Sequence, residues 1–363
     1  MVDSPQVLIL GGCGRIGQCV AQDIVTFTNA QVTVTGRHVP THLEGLDAYR
    51  CLVLDLNDFA ALNRAIASSH LVIHCAGPFH HRDDAVLLAC IRNGVNYIDV
   101  SDSRAFTERM LAQRSAAADA GITAVINTGI FPGISNSMVR LGVEALEQVE
   151  EIHLSYVVGG SGGAGLTVLK TTFLGILNPF TAWIDGAWTT VQPYSDRQSV
   201  EFLPPYRSAA VYWYEMPETL TLAQSFPART VTTKFGSIPD VYNHLTWFTA
   251  RFLPKSWLKQ PKTIDLLAEV SQRMTAVSDR FSGIGVGVRA DVVGYRKGQR
   301  VVESICLNHP NTAIAAGYGA GSVAQVILSG ELHQPGVWPV EQALSSDLFE
   351  RTMQQRQVAV TRH

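Results

Sequence analysis

The stretch that most constrains this chain is Val7-Leu8-Ile9-Leu10-Gly11-Gly12-Cys13-Gly14-Arg15-Ile16-Gly17. Four apolar residues read as a short buried strand. They run into glycines at 12, 14 and 17, ahead of a helix-like segment from Gln18 to Phe27. Gly-x-Gly-x-x-Gly in that setting assigns a task to each glycine. Gly12 serves a tight turn, Gly14 lets the backbone approach a pyrophosphate, and Gly17 lets helix and strand pack closely. Free N–H groups at the helix N-terminus then hold the anion. A glycine-rich turn that binds nothing is the alternative, and the strand-turn-helix context argues against it.

Strand-like and helix-like segments alternate as far as residue 127. Apolar runs at 32–35, 51–54, 71–75, 97–100 and 123–126 join Val7–Leu10 as six strands, with helical spacing at 18–27, 59–67, 84–93 and 103–120 between them. That alternation predicts an α/β fold, a Rossmann doubly wound parallel sheet. From Glu151 the pattern changes to strands in series, among them 152–158, 188–191, 208–214 and 228–234. A hairpin pairs 284–295 with 300–307 across Arg296-Lys297-Gly298-Gln299. Strands without intervening helices predict an antiparallel α+β domain. A long helix over Thr312–Leu328, with glycines at 317, 319 and 321, then leads to Gly336–Leu344 and a last helix ending near Gln357. The glycines suggest close packing or a kink near the cofactor. The expected organisation is a discontinuous dinucleotide-binding domain, residues 1–130 plus 310–363. Inserted in it is an α+β domain, 131–309, for substrate binding and dimerisation. A chain of 363 residues has length for two domains.

Composition narrows the partners. The net charge is −3 and no basic run of five occurs, so nucleic acid is not expected. Six scattered cysteines without a C-x-x-C pair read as reduced thiols rather than disulfides or zinc ligands. The first residues lack a leader-like pattern and no apolar run reaches 18 residues, so a cytoplasmic protein is expected. Tyr242–Leu258 carries Trp247, Phe248, Phe252 and Trp257 with Arg251 and Lys255. A buried helix or subunit contact ranks there above a membrane-surface helix.

Ligands of such sheets sit at the carboxyl ends of the strands. The second strand ends in Thr35-Gly36-Arg37-His38, with no acid at 34–38 to bind ribose hydroxyls. Gly36 opens room and Arg37 meets a 2′-phosphate, which predicts NADP(H). Asp55 closes the third strand as an adenine acceptor, with Asn57 or Asp58 as helix caps. Cys75-Ala76-Gly77-Pro78 ends the fourth strand against ribose and pyrophosphate; the following His80 and His81 lack a third ligand at useful spacing, so no metal is expected. Gly129, Pro132 and Gly133 mark a loop after the sixth strand, and Ser135 or Asn136 caps the next helix, whose N-terminus suits a substrate carboxylate. The glycine-rich run 159–165 lacks the Lys-Ser/Thr ending of a phosphate-binding P-loop. A short-chain dehydrogenase needs a tyrosine acid with lysine four residues on, and none of the ten tyrosines has it.

Gly-Gly-Cys-Gly-Arg-Ile-Gly, Cys75-Ala76-Gly77-Pro78-Phe79, the run Ala89 to Asp99, Pro132-Gly133-Ile134-Ser135-Asn136 and Gly336-Val337-Trp338-Pro339-Val340-Glu341 together resemble saccharopine dehydrogenase (saccharopine reductase) family oxidoreductases. The resemblance covers the first 140 and the last 50 residues. It implies an NAD(P)-dependent enzyme acting on CH–NH bonds, with cofactor contacts at Gly12, Gly14, Arg15, Ile16, Gly17, Gly36, Arg37, Asp55, Cys75, Ala76, Gly77, Pro78, Asp99, Val100, Ser101 and Gly129. Members reduce an imine of an aldehyde and an amine to a secondary amine. The branch expected is the carboxynorspermidine and carboxyaminopropylagmatine dehydrogenases of polyamine biosynthesis, with small-molecule amine and semialdehyde substrates and a homodimer. Saccharopine chemistry, a lipid-acting enoyl reductase and a non-catalytic NADP(H) sensor are the other readings. Asp102 and Asn136 are the candidate catalytic residues. Arg207, Arg229, Lys234 or Arg289 are partners for a substrate carboxylate, and Asp102, Glu215 or Asp240 for an amine.

Overall fold

Val7–Leu10 are buried at the centre of a seven-stranded sheet in the computed structural model, which describes residues 4–38, 49–163, 165–258 and 260–363. The start of the N-terminal segment read above and Ala164 of the glycine-rich run lie outside the described residues. The chain divides into two units, Met1–Ile134 with Ala313–Thr352, and Ser135–Thr312 with Met353–His363.

In the first unit the elements run β1 (Gln6–Leu10), α1 (Arg15–Phe27), β2 (Gln31–Gly36), β3 (Tyr49–Val53), α2 (Phe59–Ala67), β4 (Leu71–His74), α3 (Ala85–Asn93), β5 (Asn96–Asp99), α4 (Arg104–Ala112), α5 (Arg114–Asp119) and β6 (Thr123–Ile126). The later segment adds α12 (Thr312–Leu328), β15 (Gly336–Pro339), α13 (Val340–Ala343) and α14 (Ser346–Gln355). Strand order is β15-β6-β5-β4-β1-β2-β3 and every pairing is parallel. This is the expected doubly wound sheet, with β15 as a seventh strand. The inner strands β1, β4 and β6 are short and almost wholly buried because helices cover both faces, whereas the edge strand β3 is mostly exposed. Leu8, Leu10, Val72, Tyr97, Phe106, Met110 and Val337 share one core cluster.

The helix expected over 103–120 is two helices. Gln113 bonds Asp84 at the break, and Arg114 turns to Trp338 and to the Val337 carbonyl (2.8 Å). The glycines of α12 do permit close packing. A side chain at Gly317 would stand 2.8 Å from the Cys19 backbone, at Gly319 it would strike the carbonyl of Gly129, and at Gly321 the carboxylate of Asp23.

The second unit contains α6 (Ile134–Glu144, from Ser135 onward), β7 (Gln148–Gly159), α7 (Leu166–Leu174), β8 (Phe180–Ile184), β9 (Ala187–Val191), β10 (Gln198–Glu201), β11 (Ser208–Trp213), α8 (Pro217–Ser225), β12 (Thr230–Ile238), α9 (Val241–Phe252), α10 (Lys255–Leu258), α11 (Pro261–Ser282), β13 (Val286–Arg296), β14 (Gln299–His309) and β16 (Val360–Arg362). The sheet order is β10-β11-β12-β7-β13-β14-β16, with β8 added beside β12 and β9 beside β8. It is mixed rather than wholly antiparallel, since β12 runs parallel to β7 over nine residues. The β13–β14 hairpin turns at Lys297 and Gly298, both with positive φ, the geometry that matches strand twist. Residues 353–363 depart from the expected division. Val360–Arg362 pairs with Ile305–Leu307 at the edge of β14, satisfying backbone groups of the second sheet.

Candidate functional site

The turn after β1 assigns the glycine tasks differently from the sequence reading. Gly11, and not Gly12, takes the left-handed conformation (φ +74°). Gly12 is needed for packing, since a Cβ there would stand 2.7 Å from Val34 Cβ and 2.9 Å from the Ile9 carbonyl. At Gly17 it would strike the Gly11 carbonyl and lie 2.6 Å from Gly12 Cα, so the close packing expected of Gly17 is present. At Gly14 it would meet only the Gly11 carbonyl oxygen, at 3.1 Å; the outer side of this exposed residue is open.

The turn's own backbone groups hold it rigid. The N–H of Gly12 donates to Ile9 O (3.1 Å), that of Gly14 to Gly11 O (2.9 Å) and that of Cys13 to Thr35 O (3.0 Å), while Gly11 N–H donates to Thr35 Oγ1 (3.2 Å). Helix α1 begins at Arg15 with no capping side chain and no acid in its first turn. Its positive end therefore lies beside the open side of Gly14, next to Arg15 and Ile16, the arrangement that binds a phosphate anion. An uncapped helix end and a turn in which side chains would collide fit a pyrophosphate.

At the end of β2, Gly36 packs on Cys13, where a Cβ would stand 2.9 Å from Cys13 Cβ. Its missing side chain makes room for the glycine turn rather than directly for a ligand. Arg37 is exposed beyond it. Arg82, unassigned by sequence reasoning, joins this corner from the segment after β4. Its Nε donates to the Ala76 carbonyl (2.9 Å). Burial and then the charge of Arg37 lower its pKa, opposed by Asp55 and Asp83. Arg37, Arg82 and Asp55 thus share one electrostatic neighbourhood. An arginine in a strand-end loop carries no spacing signal, which is why the sequence reading passed it over. Asp55 is exposed and accepts from Asn57 N (2.9 Å) and Nδ2 (3.0 Å), and of the two suggested caps it is Asp58 that accepts from Ala61 N (3.0 Å) at the start of α2.

The β4 end is sewn to the turn, with Cys75 N–H donating to Leu10 O (2.8 Å) and Ala76 Cα only 2.8 Å from where a Gly11 side chain would begin. Gly77 and Pro78 follow, half-buried. Burial and then the Asp99 carboxyl push the Cys75 thiol up, away from nucleophilic chemistry. His74 is buried against Phe79 and Phe106, and desolvation, then Arg82, lowers its pKa to about 3. Burial and then His81 bring His80 to about 4. Both imidazoles are neutral at physiological pH. No group of three His, Cys, Asp or Glu side chains is placed to hold a metal among the described residues.

At the β5 end, Asp99 is wholly buried. Its Oδ1 accepts from Ser101 N (3.0 Å) and Asn127 N (2.9 Å). Asn127 holds a left-handed backbone (φ 60°) and donates through Nδ2 to Ser101 O and Thr107 Oγ1, both at 2.9 Å. Val100 and Ser101 are fixed by this lock, and Gly129 lies within it, 3.8 Å from Val100 Cβ by its absent side chain. Asp99 is raised to about 6 by burial, against the pull of those N–H donors. Asp102, at the mouth of the same segment, is also raised to about 6 by desolvation, opposed by its own backbone N–H.

In the second unit, Ser135 and Asn136 occupy the first turn of α6 and are not caps before it. Both are fully buried. Ser135 Oγ donates to Glu218 Oε1 (3.2 Å), which also accepts from Tyr156 (2.6 Å), and Asn136 Nδ2 donates to Thr221 Oγ1 (3.4 Å). Asn136, expected as a catalytic candidate, thus has its amide engaged with Thr221 inside the unit. Several proposed substrate partners are likewise engaged. Lys234 pairs with Asp196 (2.7 Å), Arg289 with Asp291 (2.8 Å), and Asp240 accepts from Asn243 (2.8 Å) and faces Arg197. Arg207 and Arg229 are exposed. The glycine-rich run is held by Asp279, which accepts from Ser161 N and Oγ, both at 2.7 Å.

Residues 7–125 match the saccharopine dehydrogenase NADP binding domain. A probable mitochondrial saccharopine dehydrogenase-like oxidoreductase of Arabidopsis thaliana is 29% identical over 124 residues, 29% of this chain and 27% of that protein. The match thus spans about a quarter of that relative's length. Carboxynorspermidine synthase of Vibrio cholerae is 24% identical over 313 residues, covering 78% of this chain and 75% of the other. Apo saccharopine dehydrogenase (L-Glu forming) of Saccharomyces cerevisiae shares the fold with a TM-score of 0.73 over 99% of both chains, at 15% identity. The family match thus lies within the first unit, over residues 7–125.

The raised carboxyl of Asp99 has a measurable consequence. Its folded pKa near 6 exceeds an unfolded value near 4, so the protonated form favours the fold. This contribution is complete below about pH 4 and is lost as pH rises through about 6. Asp99→Asn keeps an acceptor for Ser101 and Asn127 and removes the ionisation. Urea titrations from pH 4 to 7 should show the variant gaining on the parent by on the order of 2–3 kcal/mol across that window. A constant difference would contradict the assignment.

Proposed function

We propose that this chain is an NADPH-dependent oxidoreductase. It reduces the imine formed between an amino-acid semialdehyde of the aspartate semialdehyde type and the primary amine of a diamine or agmatine, giving a secondary amine. The observation that carries the reading is the pairing of an uncapped α1 N-terminus at an open glycine with an arginine, and no acid, at the β2 end. The similarity to carboxynorspermidine synthase over 78% of the chain supports the polyamine branch.

The residue roles follow from placement. The first-turn N–H groups of α1 hold the pyrophosphate, with Gly14 allowing contact and Gly11, Gly12 and Gly17 fixing the turn. Arg37 pairs with the 2′-phosphate by charge-assisted hydrogen bonds. Ala76 and Gly77 would border the ribose of a bound dinucleotide, and the Asp99–Asn127 lock, which fixes the backbone of Val100, Ser101 and Gly129, would support its nicotinamide. The bound dinucleotide supplies the hydride that the imine carbon accepts. A protonated imine is already electrophilic, so the protein needs orientation and charge holding more than a strong acid. Asp102, ionised above about pH 6, receives the cationic amine.

Fluorescence titration should find NADPH bound more tightly than NADH, by roughly tenfold or more for a charge-assisted contact. Arg37→Ala should narrow the gap. Equal affinities in the parent protein would remove the argument.

The reaction is tested by NADPH oxidation over a matrix of aldehydes and amines, with product masses. Turnover should require both partners, and the apparent second-order rate for the amine should rise as pH passes about 6. Asp102→Asn should raise the amine KM roughly tenfold to a hundredfold above about pH 6 and change it little below, apart from the rise in rate with free amine that both forms share. Turnover of an aldehyde or an enoyl compound alone would refute condensation. An amino-acid pair outperforming every polyamine pair would favour saccharopine chemistry.

A further inference from the structure

The second unit turns an unusual face outward. On α9 the inward positions are polar, with Asn243 and Thr249 buried, while Val241, Leu245, Trp247, Phe248 (53% exposed) and Phe252 (61%) face solvent. That inverts the ordinary amphipathic rule. The segment is therefore not a buried helix, which leaves the subunit contact and the membrane surface of the readings given above. Trp257 on α10 is 60% exposed. On α11 a second apolar row, Leu266, Val270, Met274, Val277 and Phe281, recurs every three or four residues on the outer side, ending in Phe281 at 88% exposure. Tyr242 joins the helices, its hydroxyl donating to the Met274 carbonyl (3.1 Å) and bonding Ser278 Oγ (2.8 Å). So many large apolar side chains on neighbouring helices mark a docking surface rather than scattered exposure.

The charge on the same segment identifies the occupant. From Val241 to Lys262 the sequence holds Arg251, Lys255, Lys259 and Lys262 and no Asp or Glu, and the rest of α11 adds Arg273 and Arg280 against Asp265, Glu269 and Asp279, a net excess of cations in a chain whose net charge is −3. Arg251, Lys255 and Lys262 are exposed beside the aromatic residues. A second copy docking on this face about a two-fold axis would bring two cation-rich segments into one interface. Lysine is also depleted in protein interfaces. Aromatic side chains interleaved with cations suit the headgroup region of an anionic bilayer, where rings enter the acyl boundary and cations stay at the phosphates. No helix among the described residues is long and apolar enough to cross a membrane, so the contact is peripheral.

We infer that α9, α10 and the outer row of α11 form a peripheral docking surface for an anionic lipid bilayer. The inference uses this face alone and is independent of the reductase reading.

The test is sedimentation of the full chain with phosphatidylcholine vesicles, with and without about 30 mol% phosphatidylserine. The expected result is binding favoured at least about tenfold by phosphatidylserine and weakened on raising salt from about 0.1 to 0.5 M. Arg251→Gln with Lys255→Gln should weaken it about fivefold per charge removed. Phe248→Ser with Phe252→Ser should abolish most of it while circular dichroism and NADPH affinity stay unchanged. The charge pair and the lipid dependence of the parent keep the test decisive if the serine variant misfolds. Absence of binding, or equal binding to neutral vesicles, would overturn the inference. So would a dimer by light scattering that the serine variant dissociates in a chain that ignores vesicles.

Discussion

The peptide group of Gly11 is the contact on which the first unit depends. Its carbonyl receives the N–H of Gly14 and occupies the space where a side chain on Gly17 would go, while its α carbon rests on Ala76. Through these contacts β1, α1 and the β4 end become one rigid corner. Thr35 adds the β2 end by bonding both Gly11 and Cys13. On its far side, α12 comes close only because Gly317 and Gly319 lack side chains where Cys19 and Gly129 approach. The turn at the α1 N-terminus, proposed here as the pyrophosphate seat, is thus held by backbone geometry and needs no side chain of its own.

The second unit is fixed by a buried polar cluster instead. Glu218 on α8 gathers the hydroxyls of Ser135 on α6 and Tyr156 on β7. Removing any one donor leaves buried oxygen atoms without their designed partners, a larger loss than the bond itself is worth. The network ties the first turn of α6 to β7 and α8. Buried polar groups thus act in both units, as the Asp99–Asn127 lock of the first and the Glu218 cluster of the second, and the first adds close packing at its glycines.

The parallel sheet was legible because apolar strands alternate with helical spacing, and Gly17 because its task follows from the spacing alone. Gly11 was not singled out, since in a Gly-Gly-x-Gly run the sequence does not say which glycine takes positive φ. Asn136 looked available to a substrate because serine and asparagine after a glycine-rich loop read as caps, and only the fold brings Thr221 to its amide. Glu218 and Arg82 have no local signature, being defined by residues distant in sequence. The strand Val360–Arg362 is too short to show a pattern. Helix α11 went unread because its two apolar rows and scattered polar residues blur a single periodicity.

The central claim is that a hydride passes from NADPH to a carbon bound to nitrogen. It is tested most directly by supplying NADPH deuterated at the transferable nicotinamide position, together with the semialdehyde and the amine. The account predicts one deuterium on the former aldehyde carbon of the secondary amine, with none incorporated when either partner is omitted. Deuterium in an alcohol, or in a product formed without the amine, would contradict it.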